Sequence, residues 1–261
     1  ELFAVDAQIP AGNVVVEKIE GDTVRVRPDL RDTQGDWFYW AFRVKGAAGR
    51  TLTFNFGGAY GGAVVGTRGP VVSTDKGGSW SYACEKSFTQ KAFVYSFAKD
   101  ADEVWFYECH PYLQSDWEAF LARHATDRGT SFKTDVLCRT KKGRDVERAL
   151  FGCLGRKPKY TMLLTSRHHA SESVATYALE GFLEAVLAKD ELGAWLRANV
   201  EVMVVPFMDK DGCVDGDQGK NRKPHDHNRD YTAFLHPETK ATVAWIKERT
   251  DDRLDDRIEQ H

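Results

Sequence analysis

The hydrophobic period of this chain changes near residue 112, and that change most constrains what it can fold into. Before it, apolar residues alternate at period two in short β-branched and aromatic runs: Asn13–Ile19, Thr23–Pro28, Trp37–Val44, Thr51–Phe56, Phe93–Phe97 and Glu103–Cys109. Gly21-Asp22, Gly46 to Gly49, Gly57-Gly58 and Gly77-Gly78 separate them where tight connections need positive φ. This pattern predicts an all-β antiparallel sandwich over residues 1–115. From Ser115 to Ala125 the spacing turns helical, with Trp117, Phe120, Leu121 and His124 on one face, Ser115 as N-cap and Gly129 beyond the end.

Past that helix the order becomes strand, loop, helix. Thr134–Thr140, Tyr160–Thr165 and Val200–Val205 read as strands, and Ser173–Ala188 and Pro237–Thr250 as helices. Such alternation predicts an α/β domain over residues 116–261, a mixed sheet flanked by helices. Met208–Tyr231 is polar and too long for a simple connection, so it is expected to be a functional loop.

Composition excludes several classes of function. A formal net charge of −3 gives no global reason to bind nucleic acid or an anionic membrane. No apolar run approaches the roughly 20 residues that span a bilayer. The five cysteines, Cys84, Cys109, Cys138, Cys153 and Cys213, contain no CxxC pair and read as reduced thiols of a cytoplasmic protein. GxGxxG, GxxxxGK[ST] and GxSxG are all absent, which argues against a nucleotide fold and against serine-hydrolase chemistry. The acids Asp209, Asp211, Asp215 and Asp217 suggest a calcium loop, but counting from Asp209 the sixth and twelfth positions are Val214 and Lys220, where an EF-hand needs Gly and Glu.

Two clusters could carry chemistry. His169 and Glu172 stand three residues apart directly after an apolar strand, where open α/β sheets place their sites. An imidazole and a carboxylate so spaced can meet one Zn²⁺ at about 2.0–2.2 Å. His124/Asp127 and His227/Asp230 show similar spacing, so a capped helix start with Glu172 in its first turn is the competing reading. The second cluster, Asn221-Arg222-Lys223-Pro224 with Asp226-His227-Asn228-Arg229-Asp230-Tyr231, puts two arginines and two asparagines in one loop. Arg229 and Asn228 could clamp a substrate carboxylate, and Arg222 could stabilise an oxyanion. A solvated charged loop with local ion pairs is the alternative.

The collinear order of His169-x-x-Glu172, Val205-Pro206-Phe207-Met208-Asp209-Lys210-Asp211-Gly212, Asn221-Arg222 and Asp226-His227-Asn228-Arg229-Asp230 resembles the zinc metallocarboxypeptidases. More narrowly it is similar to their cytosolic carboxypeptidase-like branch, in which a β-sandwich precedes the catalytic domain. Tyr60-Gly61-Gly62, Asp75 to Trp80, Glu108-Cys109-His110-Pro111-Tyr112-Leu113-Gln114-Ser115-Asp116 and Val136-Leu137-Cys138-Arg139-Thr140 extend the resemblance over the first half. It implies a mixed eight-stranded sheet and a Zn²⁺-dependent hydrolase that removes the C-terminal residue of peptides or protein tails. It further implies zinc held by His169 and Glu172, the substrate carboxylate held by Asn228 and Arg229, and Arg222 polarising the scissile carbonyl.

The pattern departs from the branch in two places. Ala170-Ser171 stands where Pro-Gly is usual between the ligands; both are small, so ligand geometry should survive. The family's third ligand, a histidine on a later strand, and its general-base glutamate are not recognisable; His261 follows a stretch too charged for a central strand, and His236 reads as a helix cap. The chain is therefore expected to be a piece of a longer protein or to join two segments, and an uninterrupted protein ending there would be inactive. The alternative function is a catalytically inactive carboxypeptidase-like protein that uses its sandwich to recognise a partner.

Overall fold

In the computed structural model, residues 3–57, 64–83 and 88–250 are described. Tyr60, Gly61, Gly62, Cys84 and His261 lie outside them. The chain forms two compact units: 1–113 with 212–223, and 114–211 with 224–261.

In the first unit, β1 (Ala4–Asp6), β4 (Ala41–Lys45), β9 (Glu103–Tyr107), β6 (Val71–Ser73) and β7 (Ser81–Tyr82) make an antiparallel sheet in that order. A second sheet runs β2 (Val15–Glu20), β3 (Thr23–Arg27), β5 (Thr51–Phe56), β8 (Ala92–Ser96). β2 and β3 join through Gly21 at φ 61°, a left-handed turn position that favours glycine. The expectation of purely antiparallel pairing needs correction, because β3 and β5 run parallel, Thr23 opposite Thr53. The 27–51 segment between them carries β4, which pairs into the first sheet, so it acts as a crossover rather than a hairpin.

Both sheets contribute to one buried cluster that includes Val24, Val26, Trp40, Phe42, Phe54, Phe93, Val104 and Phe106. Phe54 stacks on Phe93 with centroids 4.8 Å apart, and Phe42 lies 5.4 Å from Phe106. The segment 212–223 is tied to this unit by buried polar bonds. Asn13 Nδ2 donates to Gly216 O at 2.7 Å, and Gln218 brackets the backbone of Tyr39, accepting from its amide at 2.9 Å and donating to its carbonyl at 2.7 Å.

The second unit is built on a mixed sheet of β10 (Phe132–Arg139), β11 (Asp145–Gly152), β13 (Val200–Val205) and β12 (Tyr160–Thr165), four strands among the described residues. All six residues of β13 are buried, between antiparallel β11 and parallel β12. Val146, Leu150, Met203 and Val205 pack with Trp245 and Ile246 of α5 (Pro237–Thr250), while Phe151 faces Trp117 and Phe120 of α1 (Gln114–Arg123). α2 (Val174–Leu187) and α3 (Glu191–Asn199) connect β12 to β13; α3 is capped by Asp190, whose side chain accepts from Gly193 N. β13, buried along its whole length, needs cover on both faces, and helices packed on the sheet supply it.

Some elements differ from the sequence expectation. β11 was hidden because Asp145, Glu147 and Arg148 interrupt its apolar pattern; those side chains are met by Arg139, Lys210 and Asp135. The long polar loop contains α4 (Lys210–Asp215) and a 3₁₀ turn at His227–Arg229.

Phe93→Ala should destabilise the first unit by about 3–5 kcal/mol, because a fully buried ring leaves a cavity among five aromatic neighbours. Chemical denaturation followed by tryptophan fluorescence measures this; a loss under about 1 kcal/mol would contradict the assigned core.

Candidate active site

The site begins where β12 and β13 end. Their parallel ladder continues beyond both strands: Ser166 N donates to Val205 O at 3.1 Å, Met208 N to Ser166 O at 3.0 Å and Asp209 N to Arg167 O at 2.8 Å. Buried Ser166 adds a side-chain bond to Pro206 O at 2.6 Å. Arg167 then takes a left-handed backbone, φ 63°, while its guanidinium bonds Ala170 O at 2.8 Å. This tight turn lifts His168 and His169 off the sheet edge and starts α2 five residues later.

His169 is buried, with a hydrogen bond at one ring nitrogen and a carboxylate at ion-pair distance from the other. Nδ1 lies 3.0 Å from Glu172 Oε1, and Nε2 lies 3.3 Å from Asp226 Oδ2. These two carboxylates, Asp226 first and Glu172 second, hold the imidazole in its charged form against partial burial and raise its pKa to about 9. Glu172 keeps an exposed side chain, whereas Asp226 is buried.

Asp226 also anchors the turn that follows it. Its Oδ1 accepts from Asn228 N at 2.8 Å, and Arg229 N donates to Asp226 O at 3.0 Å. Asn228 and Arg229 therefore sit on the His227–Arg229 turn, one residue from the acid that holds His169. Arg229 is exposed and donates to Asn228 O at 3.2 Å. Asp230 is fully buried. Burial raises its carboxyl, but bonds from the Thr239 hydroxyl and the amides of Leu235 and His236 prevail and hold it below the usual range.

His168 and Tyr231 form a neutral pair. The phenol and His168 Nε2 are 2.6 Å apart. Burial, reinforced by the neighbouring charges of His227 and His169, lowers His168 to about 4; burial raises Tyr231 to about 12. Tyr231 thus donates and His168 accepts.

Of the residues singled out in the sequence, the second unit brings together His169, Glu172, Asn228 and Arg229, the first two in direct contact. Arg222 belongs to the first unit, where its guanidinium donates to Asp217 Oδ2 at 2.9 Å and lies 3.7 Å from Asp32 Oδ2. Asp226 and the His168–Tyr231 pair were missed as site residues. The signal for Asp226 was an acid directly preceding His227-Asn228-Arg229, but spacing cannot reveal which distant imidazole it meets. His236 does not cap α5 with its side chain, which bonds His225 O at 2.9 Å; only its carbonyl joins the helix, accepting from Lys240 N.

These shifts set a pH dependence for the metal-stripped protein. The raised His169 contributes stability that is complete below its ordinary value of 6.5 and lost as pH rises through about 9. The lowered His168 acts oppositely, and stability falls as pH drops from 6.5 toward about 4, where unfolding takes up a proton. Thermal melting in chelator should show a maximum near pH 6.5 with respect to these two groups, and His169→Gln should flatten the alkaline limb. An unchanged alkaline limb in that variant would rule out the two-carboxylate grip.

No protein-family model matches the chain. It is 25% identical over 220 residues to cytosolic carboxypeptidase 6 of Caenorhabditis elegans, covering 78% of this chain and 48% of that protein. To cytosolic carboxypeptidase 2 of Danio rerio it is 27% identical over 157 residues, covering 58% of this chain and 22% of the relative. The chain thus spans about half or less of the length of these relatives. Among solved structures, a metallo-carboxypeptidase from Burkholderia cenocepacia superposes with TM-score 0.76 at 24% identity, over 95% of this chain and 68% of that one. One from Pseudomonas aeruginosa gives TM-score 0.74 at 20% identity, over 94% and 66%. In sequence, then, this chain is a relative of the cytosolic carboxypeptidases, and its fold is that of the metallo-carboxypeptidases.

Proposed function

We propose that this chain carries the metal-binding and carboxylate-binding residues of a zinc metallocarboxypeptidase that hydrolyses the C-terminal peptide bond of peptides or protein tails. The carrying observation is the grip on His169. Its Nδ1 and Glu172 Oε1 are 3.0 Å apart. Two donors at 2.0–2.2 Å on one tetrahedral ion stand about 3.3 Å apart, so a small adjustment accommodates zinc in place of the shared proton. Asp226 at Nε2 is the carboxylate that such a histidine uses to fix its tautomer and ring orientation. Bound zinc supplies Lewis acidity toward a peptide carbonyl and a water acidic enough to ionise near neutral pH.

The chain's own residues supply the rest. His169 and Glu172 hold the ion. Arg229, an exposed guanidinium on a turn locked by Asp226, binds the terminal carboxylate of the substrate, with Asn228 beside it. Arg222 serves the scissile carbonyl, its orientation set by Asp217. The first unit corresponds to the sandwich pre-domain of the cytosolic branch, with the functional boundary near residue 115. The names of the relatives support a cytoplasmic setting.

Arg229→Ala in the full-length protein should weaken peptides with a free C-terminus by about 10- to 100-fold, the span of one charge-assisted bidentate contact, and leave amidated peptides nearly unaffected. Equal losses on both would reject the clamp. His169→Ala should release zinc from the site and abolish hydrolysis; hydrolysis that persists in this variant would remove the metal assignment.

A further inference from the structure

A second group of buried ligands lies at the start of α5, apart from His169 and Glu172. His227, His236 and Glu238 are all more than nine-tenths buried, and one donor atom from each falls within 4.8 Å of the others. Among the described residues, both nitrogens of His227 and Oε2 of Glu238 have no hydrogen-bond partner. Native interiors rarely leave such groups unmatched, and three in one place call for a ligand.

The spacing distinguishes between kinds of ligand. His227 Nε2 and Glu238 Oε2 are 3.7 Å apart, too long for a hydrogen bond. Two donors sharing one Zn²⁺ at about 2.0–2.2 Å would stand about 3.3 Å apart, within a few tenths of the observed value. The rings of His227 and His236 stack, with centroids 3.6 Å apart and planes at 20°, so their in-plane lone pairs do not converge as they stand, and one ring must swing out of the stack for both to hold one ion. His236 Nε2 lies 2.9 Å from the carbonyl of His225, to which it must donate, so its Nδ1 presents a lone pair. Behind His227, Nδ1 faces Asp209 Oδ2 at 3.9 Å, where a carboxylate could orient the ring once Nε2 is engaged. Two imidazoles, one carboxylate and outer-shell acceptors on both histidines match the donor set of zinc better than that of calcium or magnesium.

We propose that His227, His236 and Glu238 form a second, structural divalent-cation site, best suited to Zn²⁺, which ties the His227–Arg229 turn to the first turn of α5. The site is closed to solvent and is therefore assigned no part in hydrolysis. By fixing His227 it immobilises the two residues that follow, Asn228 and Arg229. This assignment stands independently of the reading of His169 and Glu172.

The test uses Zn²⁺ alone on the metal-stripped full chain, read by calorimetric titration and elemental analysis. Two equivalents per chain are expected. In the H169A/E172A variant about one equivalent should remain, and adding E238Q or H236Q should weaken it at least about 10-fold, as loss of one of three ligands does. A folded H169A/E172A chain that retains no zinc overturns the proposal, as does retained zinc that neither added substitution weakens. X-ray absorption on zinc-loaded H169A/E172A requires no substitution at the new site: scattering from two imidazoles is expected, and one or none overturns the proposal. If H169A/E172A does not fold, the wild-type chain decides. One equivalent that H236Q leaves undisturbed overturns the second site, whereas one equivalent that H236Q abolishes supports it and argues against the first.

Discussion

The parallel register of β12 against β13 is the constraint from which the candidate site follows. Leu163 opposite Met203 and Thr165 opposite Val205 bring both strand ends to one level, and the continuing amide bonds through Ser166, Met208 and Asp209 carry that alignment beyond the sheet. Two chain segments forty residues apart are thereby locked side by side where each emits functional groups. A register slip would turn every side chain of β12 to the wrong face, and burial on both sides of β13 forbids it. The precision of the His169 environment is thus inherited from main-chain hydrogen bonding between β12 and the fully buried β13.

Onto this frame the second unit places a compact set of charges that largely neutralise one another. Protonated His169 lies between Glu172 and Asp226, while His168 and Tyr231 stay neutral as a bonded pair. Asp230 is buried, with a hydroxyl and two amides serving its carboxylate. Only Arg229 extends an exposed cation from the turn.

Sequence reasoning recovered what repeats at short range. The period-two strands, the helices around Trp117 and Tyr177, and the contact between His169 and Glu172 all lie within a few residues of their cause. It failed where partners are distant. β11 carries charges whose neutralisers, Lys210 on Glu147 and Asp135 on Arg148, cannot be paired from spacing alone. The parallel β3–β5 pairing depends on β4 leaving for the other sheet, a choice made by packing rather than by local propensity. Asp226 meets a histidine fifty-seven positions earlier, so a polar loop concealed it.

The return of Gly212–Lys223 to the first unit gives the chain an interleaved construction with a consequence for its biosynthesis. Asn13, Arg31 and Tyr39 bond to Gly216, Asp217 and Gln218 across sequence separations of 203, 186 and 179 residues. As the polypeptide leaves the ribosome, residues 1–113 can collapse around their aromatic cluster but must wait for residues 114–211 to be made before these polar seams close. During that interval the carbonyl of Asn13's future partner does not yet exist, and the strand edges beside it stay exposed to chaperones and to wrong pairing. Completion of the first unit is therefore coupled to synthesis of residues 212–223, which follow all four strands of the second unit's sheet.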